Sequence, residues 1–296
     1  MRTLWGAAAR ITAAALTAAL AGCGGFSFFV ANAPTPFGAF KRTSNIAYGP
    51  DARQRLDVYR PKSEELRPVV VFFYGGSWSA GRKSEYAFVG AALAERGYVT
   101  AIPDYRLYPQ VRFPAFIEDG ASAVAWVQQH ASEFGGDPDR IVLMGHSAGA
   151  HIAAMLALDD AYLKKSGVRP HSVVGLVGMS GPYALDPDTD TLRSIFSSPY
   201  TPEDWQPVHF ARSSSPPALL LHGLADGVVD YRHTEKLRDA LISQGAQVET
   251  HLYPKRGHAD TIGSFALAAR YRTPALKQTL DFLGRVSVPS LQSRRD

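Results

Sequence analysis

Apolar and polar positions follow two periods along this chain, and together they predict alternating strands and helices. Continuous apolar runs, typical of strands covered on both faces, lie at 68–74, 98–103 and 173–178. An amphipathic helix with Pro114 near its start is predicted over 113–134. In chain order the predicted strands are 55–59, 68–74, 98–103, 140–144, 173–178, 217–222 and 248–253, with helices at 86–96, 113–134, 231–243 and in a closing segment that ends near 286.

Strands that alternate with helices indicate βαβ units, whose connections are right-handed. We therefore predict an α/β fold, with a mostly parallel twisted sheet and helices on both of its faces. The pattern breaks down over 182–215, which is rich in proline and aromatic residues. A segment this long without a regular period is not a simple turn. It predicts either a small cap over one edge of the sheet or a surface excursion with its own minor core.

The first 22 residues have the pattern of an export signal. Arg2 and Arg10 form a positively charged region before an apolar run over 11–21. This run is shorter than the ~20 residues that a spanning helix needs. The run ends in Leu20-Ala21-Gly22-Cys23, which resembles the lipobox of bacterial lipoproteins. That resemblance implies that Cys23 is lipidated, becomes the new N-terminus and attaches the protein to a membrane.

The expected organisation is a signal peptide at 1–22, a flexible tether at 23–40 and one folded domain at 41–296. The tether is rich in Gly, Pro, Ala and Phe and shows no regular period. Gly24 follows the cysteine where an acidic residue would indicate retention at the inner membrane. We therefore expect an exported protein, lipid-anchored to the periplasmic face of the outer membrane where the cell has one.

Composition narrows the classes of function. The formal net charge is +4, and no run of Lys or Arg forms a basic stripe, so we expect no nucleic-acid partner. Cys23 is the only cysteine, which excludes a disulfide within the chain. No group of His, Asp and Glu has the spacing of metal ligands, and we expect neither a metal nor a cofactor.

The pentapeptide Gly145-His146-Ser147-Ala148-Gly149 carries the strongest chemical signal. It follows the predicted strand 140–144 and precedes a good helix former over 150–158. A G-x-S-x-G sequence between a strand and a helix is typical of a nucleophile elbow, in which the glycines allow a sharp, strained turn. Because this turn exposes the serine hydroxyl, Ser147 is the candidate nucleophile.

A serine hydroxyl needs a base to take its proton and an acid to orient that base. On a sheet of this kind the acid and then the histidine follow the serine, each in a loop after a strand. Asp226 and His258 both come one loop after a predicted strand. We therefore predict Ser147, Asp226 and His258 as a catalytic triad, with Asp230, which lies farther from its strand, as the competitor for the acid.

Other ionisable residues near the strand ends are expected to have structural roles. His222 should hold the loop that carries the acid, and His151 should pack on the helix after the nucleophile. His146 lies inside the elbow, where its side chain cannot easily turn back to the neighbouring hydroxyl. Asp104 follows a predicted strand and is expected to pair with Arg106.

Acyl transfer also needs hydrogen-bond donors aimed at the developing oxyanion. The backbone N–H of Ala148, which follows the nucleophile, is expected to be one of them. The second should come from the loop at 74–78, Tyr-Gly-Gly-Ser-Trp, because paired glycines let a backbone approach a substrate closely. The chain therefore contains the parts of a complete acyl-transfer site.

These motifs resemble those of α/β-hydrolase esterases of the carboxylesterase and hormone-sensitive-lipase type. The nearest branch includes arylformamidases, isoprenylcysteine methylesterases and feruloyl or acetyl esterases. Further matching motifs are Asp104-Tyr105-Arg106-Leu107, Phe113-Pro114-Ala115, His222-Gly223 and Gly257-His258. The resemblance covers nearly the whole folded part of the chain.

The resemblance implies a role for each candidate residue. Ser147 would be the nucleophile, Asp226 the acid and His258 the base. The oxyanion hole would consist of the backbone amides of Gly76, Ser77 and Ala148. Tyr74 stands where the family usually has a histidine that positions the loop, and we expect its hydroxyl to take over that role.

The predicted function is that of a serine carboxylic ester hydrolase, which forms an acyl-enzyme with a small to medium ester. The aromatic residues Trp78, Phe196, Tyr200 and Trp205 indicate an apolar acyl or aryl group. A triad serves esters and activated amides alike, so an amide hydrolase of the arylformamidase kind is an alternative. A second alternative, from another class, is a lipid-anchored binding protein that keeps the scaffold without the catalysis.

Overall fold

Buried apolar strands form the centre of an eight-stranded sheet in the computed structural model, which describes residues 27–35, 38–63 and 65–288. The strands are β1 (Phe40–Ala47), β2 (Arg55–Pro61), β3 (Arg67–Phe73), β4 (Val99–Pro103), β5 (Gly136–His146), β6 (Val173–Met179), β7 (Ala218–Gly223) and β8 (Val248–Tyr253). Their order is β1-β2-β4-β3-β5-β6-β7-β8. Strand β2 is antiparallel to β1 and β4, and every other pair is parallel. The mostly parallel α/β fold is therefore confirmed.

Helices connect the strands and cover the sheet. They are α1 (27–32), α2 (Ala87–Ala94), α3 (Ala115–His130), α4 (Ala148–Leu158), α5 (Asp160–Lys165), α6 (Asp190–Ile195), α7 (Pro202–Trp205), α8 (Arg232–Ser243), α9 (Asp260–Gly263) and α10 (Ala275–Val286). The connection through α2 leads from β3 to β4, toward the β1 edge of the sheet. The connections through α3, α4 and α8 lead in the opposite direction, toward the β8 edge. Because crossovers are right-handed, α2 lies on the opposite face of the sheet from α3, α4 and α8.

Strand β5 positions the candidate nucleophile. Its residues from Ile141 to Met144 are fully buried, and it is paired in parallel with β3 on one side and β6 on the other. A strand surrounded in this way keeps a fixed register, so its carboxyl end is held rigidly. Ser147 follows that end directly, and the loops after β7 and β8 open at the same edge of the sheet.

Strand β1 is an element that the apolar pattern did not predict. Its sequence, FKRTSNIA, is mostly polar and mostly exposed, because β1 is the outer strand of the sheet. Its register shifts between Thr43 and Ile46, and Asn45 within that bulge has a positive φ of 59°. An edge strand with a bulge and charged residues needs no apolar alternation, since solvent covers one of its sides.

Helix α1 lies within the stretch that the sequence predicts as a tether, and it packs against the domain. The side chain of Asn32 donates a 2.8 Å hydrogen bond to the carbonyl of Glu85 and accepts one of 2.9 Å from the N–H of Phe88. The ring of Phe28 lies 5.1 Å from that of Tyr86. Residues 1–22 and Cys23, predicted as signal peptide and lipidation site, lie outside the described residues. Across the described ranges, no helix has the length and apolar character needed to cross a bilayer.

The segment 182–215 forms two short helices, α6 and α7, and packs back onto the domain through aromatic rings. Phe196 and Trp205 are both buried, with ring centroids 5.5 Å apart. The ring of Phe196 lies 4.8 Å from that of Trp78 and nearly perpendicular to it. The imidazole Nε2 of His151, on α4, donates a 2.7 Å hydrogen bond to the carbonyl of Trp205. The segment is therefore fixed to the helix that follows Ser147.

Candidate active site

The backbone at Ser147 has the strained geometry of a nucleophile elbow. Its φ is 56° and its ψ is −126°, a region that non-glycine residues rarely occupy. The flanking glycines are required by close packing of backbone against backbone. A Cβ on Gly145 would lie 2.1 Å from the carbonyl oxygen of Gly149, and one on Gly149 would lie 2.0 Å from that of Phe73. The serine can hold this turn because β5 and α4 are packed on both sides of it.

Asp226 and His258 meet directly, as the sequence predicts. Nδ1 of His258 donates a 2.8 Å hydrogen bond to Oδ2 of Asp226. Oδ1 of Asp226 accepts 2.9 Å bonds from the backbone N–H groups of Val228 and Val229. The buried carboxylate is thus fully engaged, and it fixes the ring of His258 with Nδ1 protonated and Nε2 free to accept a proton.

His222 supports the same carboxylate from behind, which agrees with its expected role. Its Nε2 lies 3.1 Å from Oδ2 of Asp226 and 3.0 Å from the carbonyl of Val229, and its Nδ1 lies 2.7 Å from the hydroxyl of Thr234. Burial alone would raise the pKa of Asp226. Hydrogen bonds from His222, from His258 and from the Val229 N–H outweigh that effect and hold the pKa of Asp226 well below its usual range. Asp226 therefore carries its negative charge across the pH range in which hydrolases work.

His146 ties the elbow to the loop of His258, a role that the sequence did not reveal. Its Nε2 donates a 3.0 Å hydrogen bond to the carbonyl of His258, and the two rings lie 4.8 Å apart. Burial lowers the pKa of His146 to about 3, so the ring is neutral. The residue before Ser147 therefore sets the position of the candidate base from its backbone side.

The hydrogen bond from His146 to the His258 carbonyl joins the turn at Ser147 to the loop that carries His258. Among the described residues, no hydrogen bond joins the Ser147 hydroxyl to the His258 ring. Such bonds often tighten only when a substrate binds, so the geometry is compatible with proton transfer between them. Asp230, the competing acid, lies apart from this arrangement and pairs with Arg232 at 2.8 Å on the surface.

A cavity of ≈ 420 Å³ opens at Ser147. Its wall contains Ser147, Ala148, Ser77 and Trp78, so two of the three residues predicted to donate to the oxyanion line it. The third, Gly76, is not part of the wall; its carbonyl accepts hydrogen bonds from the N–H groups of residues 79 and 80. Ser77 and Trp78 both have positive φ, 50° and 54°, which turns this loop sharply toward the cavity.

The segment 182–215 forms the outer wall of the cavity, so it lies over the site as a cap. Its lining residues are Pro182, Leu185, Asp186, Asp188 and Leu192. Of the four aromatic residues expected to contact an apolar substrate, Trp78 is on the cavity wall. Phe196 and Trp205 are instead buried in the packing of the cap, and the ring of Tyr200 contacts Phe113.

Tyr74 holds the loop at 74–78 through a network of hydrogen bonds. Its hydroxyl donates a 2.8 Å hydrogen bond to Oδ1 of Asp104 and accepts one of 2.8 Å from Nη2 of Arg53. Its carbonyl accepts a 2.8 Å bond from the hydroxyl of Tyr105, and the two rings are stacked. Burial raises the pKa of Tyr74 well above its usual value, which keeps the hydroxyl protonated as a donor. Through its hydroxyl and its carbonyl, Tyr74 therefore holds the start of this loop.

The expected pairing of Asp104 with Arg106 is wrong. Asp104 accepts hydrogen bonds from Tyr74 and from the backbone N–H of Lys83, at 2.7 Å. Arg106 instead forms a double hydrogen bond with the buried carboxylate of Asp119 on α3, the shortest contact being 2.7 Å. Both residues lie in the loop after β4, and each finds its partner in another part of the chain.

Removing the Tyr74 hydroxyl is expected to lower the free energy of unfolding by about 1–3 kcal/mol, because Tyr74→Phe removes a partner from the largely buried carboxylate of Asp104 and from the partly exposed guanidinium of Arg53. Tyr59→Phe is the matched control: Tyr59 is equally buried, but its hydroxyl has no hydrogen-bond partner among the described residues. We expect the control to change stability by less than about 1 kcal/mol. Equilibrium denaturation in urea measures both, and equal losses would contradict the role given to the network.

In the described part of the chain, no group of three or more His, Cys, Asp or Glu side chains is arranged to hold a metal ion. The carboxylate of Asp226 is instead paired with His258 and with backbone N–H groups. What the arrangement can supply chemically is a hydroxyl on a strained turn, an oriented imidazole and a cavity with backbone N–H groups on its wall.

Comparison with known proteins gives consistent results. A family model, BD-FAE, matches residues 56–241, a range that includes Ser147 and Asp226. The chain is 37% identical over 239 residues to isoprenylcysteine alpha-carbonyl methylesterase of Arabidopsis thaliana, covering 73% of this chain and 56% of that protein. It is 30% identical over 266 residues to esterase LipQ of Mycobacterium tuberculosis, covering 82% of this chain. The chain spans little more than half the length of the first of these relatives.

Solved structures show the same architecture. A truncated carbohydrate esterase from gut microbiota superposes with a TM-score of 0.74 at 23% identity, covering 84% of this chain and 98% of that one. Esterase 2 of Thermogutta terrifontis superposes with a TM-score of 0.68 at 25% identity, covering 86% of this chain and 98% of that one. The fold is therefore that of the α/β-hydrolases.

Proposed function

The chain belongs to the BD-FAE family, and from this we propose that it is a serine carboxylic ester hydrolase. The observation that carries the proposal is the hydrogen bond between His258 and Asp226 beside the strained turn at Ser147. Relatives named as esterases support the reaction class. A scaffold that only bound a ligand would have no need of an oriented imidazole supported by a buried carboxylate.

In the proposed reaction, Oγ of Ser147 attacks the acyl carbon of an ester while its proton passes to Nε2 of His258. The carbonyl oxygen becomes an oxyanion and accepts hydrogen bonds from the backbone N–H groups of Ser77 and Ala148. The C–O bond to the alcohol then breaks, and the alcohol leaves with the proton from His258. Water attacks the acyl-enzyme with the same base, which releases the acid and restores Ser147.

The walls of the cavity favour a short acyl group. Trp78 stands next to Ser147, and the buried ring of Phe196 fills the space behind it. A long acyl chain that extends toward Trp78 would have to displace these packed rings, and rearranging a close-packed core costs about 1–3 kcal/mol or more. An acetyl, propionyl or similarly compact acyl group fits the ≈ 420 Å³ cavity without that displacement.

A fluorophosphonate probe tests the proposal, because it reacts with activated serines. We expect one adduct, which peptide mass spectrometry should place on Ser147. Absence of an adduct, or its location on another residue, would overturn the assignment of the nucleophile and favour the binding-protein alternative.

A substrate panel tests the reaction class separately. It should contain p-nitrophenyl esters of increasing acyl length, a feruloyl ester and N-formylkynurenine. We expect hydrolysis of the short p-nitrophenyl esters, with kcat/KM falling as the acyl chain grows. Preferential hydrolysis of N-formylkynurenine would instead identify an amide hydrolase of the arylformamidase kind.

A further inference from the structure

An apolar surface beside helix α1 takes no part in the proposed chemistry. It surrounds a crevice of ≈ 110 Å³, with Ala31 and Pro34 on one side and Phe265 and Leu267 on the other. Ten large apolar residues are exposed in the described part of the chain. Four of them lie on helix α1 or within 267–271, the two segments that border the crevice. They are Phe29, which is 72% exposed, Val30, Leu267 (61%) and Tyr271 (82%). We call this the α1 surface.

The α1 surface also carries a positive charge without an acidic partner. Arg270 and Glu95 both line the crevice, but among the described residues no carboxylate forms an ion pair with Arg270, and Glu95 lies 3.9 Å from Arg96. Its Nε is buried and has no hydrogen-bond partner among those residues. Arg272, nearby in the chain, is by contrast paired with Asp260. A guanidinium with donors to spare at the rim of an apolar surface is suited to a phosphate or another oxyanion.

The chain upstream of α1 limits which part of the domain lies near Cys23. Cys23 precedes residue 27 by four positions, and four residues reach about 14 Å when fully extended. Helix α1 is itself fixed to the domain by Asn32 and by the Phe28–Tyr86 contact. A domain of about 250 residues has a radius of gyration of about 18 Å, so a group attached at Cys23 cannot reach its far side.

We propose that the α1 surface rests on an anionic phospholipid bilayer, with Phe29, Leu267 and Tyr271 at the level of the headgroups and Arg270 bound to a lipid phosphate. Apolar side chains mixed with unpaired basic groups are typical of surfaces that lie on membranes. The bilayer is favoured over a protein partner because the predicted lipid on Cys23 would bring this surface to it. The proposal does not depend on the esterase reaction.

Fluorescent labels at single positions test the proposal in the full-length protein. Cys23 is the only natural cysteine, and lipidation would block it, so Leu267→Cys adds the one reactive thiol. Ile242→Cys on α8 is the matched control, because Ile242 is also an exposed aliphatic residue, at 57%. Each variant carries an environment-sensitive fluorophore and is reconstituted into vesicles of phosphatidylglycerol and phosphatidylethanolamine with brominated acyl chains.

We expect the label at 267 to be quenched severalfold more strongly than the label at 242, and Arg270→Gln to reduce that difference. Equal quenching at both positions, or none at 267, would overturn the proposal. So would a label at 267 that is shielded only in a dimer, because the α1 surface would then join two copies. The N-terminal mass reports lipidation separately, and quenching at 267 in a Cys23→Ser variant, which keeps only the thiol at 267, would support direct binding to the bilayer.

Discussion

Replacing Ser147 with alanine is expected to lower kcat for p-nitrophenyl acetate by about 10⁶-fold, the loss typical of a triad nucleophile. The substitution removes the one oxygen that attacks the acyl carbon, so the remaining rate comes from substrate binding and the oxyanion donors alone. The turn itself should persist. Alanine and serine meet the same backbone strain at φ 56°, and the packing of Gly145 and Gly149 is unchanged.

Ser77→Ala is the matched control, since Ser77 is a serine on the wall of the same cavity. Its proposed contribution is the backbone N–H, which alanine keeps. We therefore expect less than about a tenfold change in kcat/KM, compared with the 10²–10³-fold loss in kcat that removal of an oxyanion donor causes. Steady-state kinetics and thermal unfolding of both variants separate catalysis from stability. A Ser147→Ala variant with more than about a hundredth of the wild-type kcat would rule out the proposed nucleophile.

The central strands of the sheet could be predicted because a strand that is buried on both faces has a continuous apolar sequence. Strands β3, β4, β6 and β7 and the second half of β5 are largely buried on both faces, so their sequences are the continuous apolar runs that predicted them. Strand β8 is only half-buried. The site residues follow from the same pattern. Once β5, β7 and β8 are recognised as parallel, the loops after them must open at one edge of the sheet. Ser147, Asp226 and His258 were found in those loops for that reason.

What could not be predicted depends on contacts between distant parts of the chain. Strand β1 is polar because its outer edge faces solvent, so nothing in its sequence distinguishes it from a loop. The partners of Asp104 and Arg106 are Tyr74, Lys83 and Asp119, at separations of 13 to 30 residues for the bonded pairs. No local spacing rule selects among such partners.

The aromatic residues of the cap are a second case in which the sequence did not identify the contact partners. Phe196 and Trp205 were expected to contact substrate because they lie in an irregular segment near the site. The structure uses them to pack the cap against Trp78 and α4. Composition indicates that a segment has apolar side chains to bury, but not whether they bury against the protein or against a ligand. Helix α1 is a comparable case, because a short amphipathic turn in a Gly- and Pro-rich stretch gives too few residues for a period to be detected.

Asp226→Asn is expected to lower kcat by about 10⁴-fold while leaving the protein folded. The amide oxygen of asparagine can still accept the hydrogen bonds from Val228 and Val229, which holds the loop in place. Its NH₂ group would then face His258 where the carboxylate now accepts from Nδ1. The imidazole must turn Nδ1 into an acceptor and carry its proton on Nε2, and it can no longer take the proton of Ser147.

Asp230→Asn provides the matched control for this prediction. Asp230 lines the same cavity and lies four positions from Asp226, but its carboxylate pairs with the exposed Arg232. Exposed ion pairs contribute about 0–1 kcal/mol to the free energy of unfolding, so the fold should be unaffected. Since no hydrogen bond joins Asp230 to His258 among the described residues, we expect kcat/KM to change by less than about fivefold. Comparable losses in both variants would mean that charge in the cavity, rather than orientation of His258, limits the rate. A loss confined to Asp230→Asn would move the role of the acid to that residue, and the hydrogen bond between Asp226 and His258 would then be structural.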